Sequence, residues 1–144
     1  DLVIYAMLNL CELLLDEVRA YGELEAFREA DELSSQIYDI ALEQNSTALL
    51  VDALLFRSKF ALLKGTVAEA DRLLEKALAV AQEKGVRMLT EKALREKEDL
   101  EKEVARWEEL ITRAAPLRER LEHARLQDYI ADAVRIIKLE EAIE

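Results

Sequence analysis

Apolar and polar residues alternate along most of this chain with the three- and four-residue spacing of amphipathic helices. Interruptions of that pattern are few, and the residue types found there are those that end helices. They divide the chain into segments of helical length, so the sequence predicts an all-α protein of about six helices. The interrupting residues are Gly22, Asn45, Gly65, Gly85 and Pro116.

Helix ends are marked most clearly in the middle of the chain. Lys64 precedes Gly65, which places a cation in the last turn and then a residue that accepts the left-handed conformation. The same pair of signals recurs at positions 84–85. Thr66 followed by Glu69 matches a capping box, which predicts that a new helix begins directly after Gly65.

The last two segments, which together span 86–144, have a different pattern. The fifth carries a narrow apolar seam opposite a highly charged face, as in a coiled coil. The short joint before Pro116 predicts that the sixth helix folds back antiparallel to the fifth and runs to the end of the chain. We therefore expect a single domain, 1–144, that ends in one long helical hairpin.

An internal repeat relates the first two helix pairs. Glu29–Asp31 recurs as Glu69–Asp71, an offset of 40 positions. A period of about 40 residues is typical of a two-helix solenoid unit and predicts helical hairpins at 1–44 and 46–84. Other matches at this offset are Leu14 with Leu54, Leu33 with Leu73, Ala41 with Ala81 and Arg19 with Lys59.

The second of these units resembles a tetratricopeptide repeat. If Gly65 closes its first helix, then Ala70, Leu74 and Ala77 occupy the positions that this family fills with a small, a large and a small residue. The resemblance covers about residues 1–85. It implies a right-handed stack of antiparallel helix hairpins, a tetratricopeptide-like α-solenoid that acts as a protein-binding scaffold.

The resemblance also implies where a partner would bind, because the first helix of each such unit lines a concave groove. Arg19 and Lys59 are equivalent, so two cations could face one groove and hold an acidic residue or a peptide C terminus. In the alternative interpretation, they only balance nearby aspartates at a solvated surface. The groove residues implied are Asp16, Arg19, Asp52, Leu55, Phe56, Lys59 and Leu62.

These patterns favour a non-catalytic interaction scaffold that binds a peptide or another domain. Because the chain begins at Asp1 rather than at methionine, we expect it to be a piece of a larger regulatory or signalling protein. A structural role in homo-oligomers is the alternative, since the first helix is apolar nearly all round. Chains would then pair through the C-terminal hairpin or through the first helix, burying Ile4, Met7, Leu8 and Cys11.

Composition refines this picture mainly by exclusion. The net charge of −11 argues against nucleic acid and against anionic membrane surfaces, so protein or peptide partners are expected. The single cysteine, Cys11, excludes an internal disulfide and favours a reducing, cytoplasmic setting. We find no targeting segment and no apolar stretch long enough to span a bilayer.

Candidate chemistry is sparse. His123 is the only histidine and lies far along the chain from Cys11, so neither a histidine-rich metal site nor a Cys–His pair is expected. The glycines are isolated, which excludes a phosphate-binding glycine loop. We predict no catalytic residue, no metal and no cofactor, although a buried carboxylate pair stays possible. His123 is expected to pair with Glu119, one helical turn earlier.

Overall fold

The computed structural model describes the backbone of residues 2–143 and the side chains of residues 2–135. All regular secondary structure in this range is α-helical, which confirms the predicted class. The helices number seven here rather than six. They are α1 (Leu2–Tyr21), α2 (Leu24–Gln44), α3 (Thr47–Leu63), α4 (Val67–Lys84), α5 (Arg87–Thr112), α6 (Leu117–Ala124) and α7 (Leu126–Ile143).

Most helix ends lie where the local sequence signals place them. Asn45 ends α2 and Gly85 ends α4, both in the left-handed conformation and 40 residues apart. A side chain at Gly85 would meet nothing within 4 Å, so glycine serves there for its φ of +68° rather than for space. The predicted capping box of α4 does not form, because the Thr66 hydroxyl donates back to Ala61 O at 2.9 Å.

The core is centred on α3, which is buried on most of its surface. Helices adjacent in the chain pack together from α1 to α5, and α5, α6 and α7 also reach α3. Ala70, Leu74 and Ala77 of α4 are all buried, and the two alanines are small enough to let neighbouring helices approach closely. A cluster of aromatic rings fills the interior around α3: Phe27, Phe56, Phe60 and Tyr129.

The predicted single sixth helix is broken at Arg125, whose φ is +53°. Ala124 before the break and Leu126 after it are both buried. In a continuous helix, residues two apart lie about 200° around the axis and cannot face the same surface. The break removes that conflict. As a result, α6 and α7 pack against α1 and α3 instead of forming a coiled coil along α5.

Candidate functional site

The predicted groove residues lie on α1 and α3, and residues 117–135 contact several of them. We call residues 117–135 the C-terminal segment; it comprises α6 and the described side chains of α7. Leu55, Phe56 and Leu62 are buried, whereas the four charged groove residues are half-buried or exposed. The groove residues that contact the C-terminal segment directly are Asp16, Asp52, Phe56 and Lys59.

Tyr129 makes the central contact between the C-terminal segment and α3. Its ring stacks on Phe56, with 5.4 Å between the centroids and 11° between the planes. Its hydroxyl donates to the backbone carbonyl of Asp52. Burial raises the pKa of Tyr129 well above its ordinary value of 10.0, so the phenol stays a protonated donor at neutral pH.

Two lysines lie beside Tyr129, and each forms an ion pair with a neighbouring carboxylate. Lys59 Nζ lies 3.5 Å from Glu96 Oε2 and also donates to Ala124 O at 3.3 Å. Ala124 is the last residue of α6, so Lys59 places a cation at a helix C terminus, where carbonyl oxygens lack backbone partners. Lys92 Nζ lies 2.7 Å from Asp52 Oδ1, which neutralises the aspartate beneath the tyrosine.

Further hydrogen bonds fix the C-terminal segment to both first helices. Gln127 Nε2 donates to Asp16 Oδ1 on α1 at 2.9 Å. The Arg120 guanidinium donates to the carbonyl of Leu63, the last residue of α3. The predicted groove residues and the end of α3 thus contact α6 and α7 through aromatic stacking, helix-end capping and side-chain hydrogen bonds.

The structure does not bring Arg19 and Lys59 to a common ligand. Arg19 Nη2 lies 3.7 Å from Asp16 Oδ1, three residues earlier on the same helix, and Lys59 is engaged by Glu96. Arg19 therefore fits the interpretation in which each cation balances a nearby aspartate, and not the one in which both bind an acidic ligand. Asp52, which was expected to balance Lys59, pairs with Lys92 of α5 instead.

A cleft of about 720 Å³ remains between α5 and the C-terminal segment. Trp107 and His123 border it, with ring centroids 5.0 Å apart. His123 Nε2 lies 2.8 Å from Glu103 Oε2 on α5, so the predicted pairing of His123 with Glu119 is wrong. Glu119 instead accepts hydrogen bonds from the guanidinium of Arg113, because the turn before α6 brings the two side chains together.

Several residues that hold the C-terminal segment were not predicted. The 40-residue offset was an available signal for Lys92 and Glu96, which follow the groove positions Asp52 and Phe56 at that spacing. Arg120, Gln127 and Tyr129 carried no such signal, because their partners are 57, 111 and 77 positions away in the chain.

The residues predicted to form an interface between two chains are mostly buried in the core of a single chain. Ile4, Leu8 and Cys11 are at most 3% exposed, and Met7 packs partly buried against the same core. A second chain cannot reach these buried side chains without unfolding α1, so this part of the oligomer prediction needs correction. The apolar side chains that α1 does expose are different ones, among them Leu2, Leu10 and Leu13.

Cys11 contributes to the contact between α1 and α2. Its thiol donates to Ala30 O at 3.6 Å, and the side chain is fully buried. Burial raises the pKa of the Cys11 thiol from 9.0 to about 12, because the thiolate loses its hydration in the core. The thiol is therefore neutral and inert at physiological pH.

This shift predicts that the folded chain loses stability as the pH rises above 9. The unfolded chain releases the Cys11 proton near pH 9.0, whereas the folded chain keeps it until about pH 12. The stabilisation is thus complete below pH 9 and is lost between pH 9 and 12, by at most about 1.4 kcal/mol per pH unit. Urea unfolding at pH 8, 9 and 10 should show a shallower fall for Cys11→Ala than for wild type; equal slopes would contradict the expectation.

In residues 2–143, no helix is long and apolar enough to cross a membrane. The same part of the chain contains no cluster of three or more histidine, cysteine, aspartate or glutamate residues that could hold a metal ion. No protein-family model, curated protein or solved structure matches this chain.

Proposed function

We propose that this chain is a non-catalytic protein-interaction scaffold, built from two-helix units of the tetratricopeptide type, whose groove binds an α-helical segment. The observation that carries the proposal is the seating of the C-terminal segment on α1 and α3. The predicted groove residues Asp16, Phe56 and Lys59 contact that segment directly. The groove therefore already holds a ligand of the proposed kind, supplied in cis.

Equivalent contacts at the 40-residue offset support the division into repeat units. Arg57 of α3 donates to Ser35 of α2. Lys97 of α5 donates to Glu75 of α4 at 2.8 Å. Both members of the second pair follow those of the first by 40 positions. A repeated contact of this kind is expected when successive helix pairs pack in the same way.

The features of the C-terminal segment define what a competing partner helix needs. Helices that bind grooves present buried anchors at spacings of three and four residues. Leu121 and Ala124 of α6 are buried three residues apart, and Tyr129 of α7 is buried after the break at Arg125. A partner would need a small residue at the C-terminal end of a helix, next to Lys59, as Ala124 is at the end of α6. It would also need an aromatic ring that stacks on Phe56. Its apparent affinity would be reduced by the fraction of molecules in which the groove is closed.

A labelled peptide of residues 117–135 tests the proposal in trans by fluorescence anisotropy. We expect the intact chain with Tyr129→Ala to bind this peptide at least about tenfold more tightly than wild type, because its own segment is held less firmly. Adding Lys59→Glu should then weaken binding several-fold, since the cation at the helix C terminus becomes an anion.

Two further variants make the result interpretable. Lys84→Glu is the control for Lys59→Glu, because it makes the same charge change at an exposed position at the end of α4. It should leave the affinity for the peptide unchanged. Arg120→Ala opens the groove by a second route, because it removes the bond to Leu63 O without a large cavity. If neither Tyr129→Ala nor Arg120→Ala binds the peptide better than wild type, the groove is not a helix-binding site and the proposal is wrong.

A further inference from the structure

One face of α1 exposes apolar side chains that the groove and the core do not use. Leu10 is 47% and Leu13 is 62% exposed, and Glu17 and Ala20 are exposed as well. Their spacing of three, four and three residues places them along one side of the helix. We call Leu10, Leu13, Glu17 and Ala20 the α1 stripe.

Of the four positions of α3 that lie 40 residues after the α1 stripe, two are buried and two are partly buried, and two of the four contact α2. Ala53 is 2% and Phe60 is 1% exposed. Phe60 meets the ring of Phe27 edge-on at 5.7 Å, and Arg57 donates to Ser35. The partners Phe27 and Ser35 both belong to α2, which precedes α3 in the chain.

A further 40 residues along, the same positions of α5 are again two buried and two partly buried, and one of them contacts α4. Ala93 is fully buried and Leu100 nearly so. Lys97 Nζ lies 2.8 Å from Glu75 Oε1 on α4. This helix face is thus buried or partly buried in α3 and in α5, with contacts to the preceding helix, whereas all four of its positions in α1 are exposed.

We infer that the α1 stripe docks an amphipathic helix of the α2 or α4 type that carries a basic residue opposite Glu17. Arg57 and Lys97 occupy the position of Glu17 in α3 and α5, and they face Ser35 and Glu75. In α1 the charge at this position is reversed, so the complementary residue on the docked helix is a lysine or an arginine.

A second copy of α1 does not meet this requirement. Parallel pairing of two stripes would bring one Glu17 carboxylate to the other, and like charges at such a contact are unfavourable. The only cation of α1 is Arg19, whose guanidinium lies beside Asp16. The occupant that meets the requirement is therefore a basic amphipathic helix of a partner protein rather than a second α1, which also suits the net charge of −11. This inference goes beyond the proposed groove function and does not rest on it.

Two peptides with the sequence of α4, residues 67–84, test the docking with the intact chain. One has the natural Glu75 and the other has Glu75→Lys; both are stapled between the exposed positions 72 and 76 so that they are helical before binding. We expect the lysine peptide to bind wild type about fivefold more tightly than the natural peptide. The Glu17→Lys chain should reverse this order.

Leu13→Asp should abolish binding of both peptides, because it places a charge in the apolar contact. Leu94→Asp is the matched control, since Leu94 is a partly exposed leucine of α5 outside the stripe, and it should bind like wild type. The inference is overturned if neither peptide binds wild type, if binding survives Leu13→Asp, or if Glu17→Lys leaves the order unchanged. A dimer mass by light scattering that Leu13→Asp converts to a monomer would also overturn it, because a second copy would then be the occupant. None of these results alters the groove test, since residues 117–135 contact other side chains of α1.

Discussion

Replacing Phe60 by alanine should lower the free energy of unfolding by about 3–5 kcal/mol. Phe60 is 1% exposed and lies edge-on to two rings, 5.7 Å from Phe27 and 5.2 Å from Phe56. Its removal leaves a cavity where α2 meets α3, and neighbouring helices close such cavities only in part. Since the total free energy of unfolding of a small domain is about 5–15 kcal/mol, the variant should be close to unfolding. Urea unfolding followed by circular dichroism measures the change.

The control for Phe60→Ala is Tyr21→Ala at the end of α1. Tyr21 is 79% exposed, so its replacement should change the free energy of unfolding by less than about 0.5 kcal/mol. If Phe60→Ala costs no more than Tyr21→Ala, the aromatic cluster does not hold α2 and α3 together, and the core has another centre.

Helix positions could be predicted from the sequence because their signals are local. Gly65 and Gly85 accept positive φ without steric cost, so they mark helix ends from sequence alone. Arg125 has a positive φ as well, but arginine has no intrinsic preference for it. The residues on either side of it, Ala124 and Leu126, are both buried, and this burial depends on tertiary packing that a local pattern does not reveal.

The groove residues were implied by the resemblance to a tetratricopeptide repeat, whereas nothing in the sequence indicated which segment lies against them. Asp52, Phe56 and Lys59 were carried over from that resemblance. Tyr129 contacts two of them from α7, and no spacing rule connects residues so far apart in the chain. The amphipathic pattern of residues 117–135 predicted a buried face but did not specify the helix that buries it.

The apolar first helix illustrates a related limit. A helix that is apolar on all sides must bury more than one face, but its pattern does not say which face a partner covers. Packing of α1 within the domain buries Ile4, Leu8 and Cys11 and leaves Leu10 and Leu13 exposed. Only the comparison of equivalent faces on α3 and α5 indicates what the exposed residues are suited to bind.

The two proposed binding surfaces differ in how they are controlled. The α1 stripe is open in the described structure, so its occupancy depends only on the concentration of a suitable helix. Under the proposed function, the C-terminal segment occupies the groove, so a partner would have to compete with an intramolecular ligand at high effective concentration. Release of that segment would then be the step that sets the affinity of the groove for a partner.

Replacing Tyr129 by alanine should release the C-terminal segment while the core around α3 and α4 stays folded. The change removes the stack on Phe56 and the hydrogen bond to Asp52 O. Loss of a buried aromatic side chain costs about 3–5 kcal/mol, which is at least about a hundredfold in the docking equilibrium. Hydrogen exchange by mass spectrometry should show much faster exchange of amides in residues 117–135, with α3 and α4 still protected.

Tyr129→Phe is the matched control, because it keeps the stack on Phe56 and removes only the hydroxyl. Leaving Asp52 O without that donor should cost about 1 kcal/mol, so exchange in residues 117–135 should rise by less than about tenfold. If Tyr129→Ala instead accelerates exchange equally in α1 to α7, the segment unfolds together with the core. It would then be a fixed part of the domain rather than a releasable ligand, and the groove could not be opened by competition.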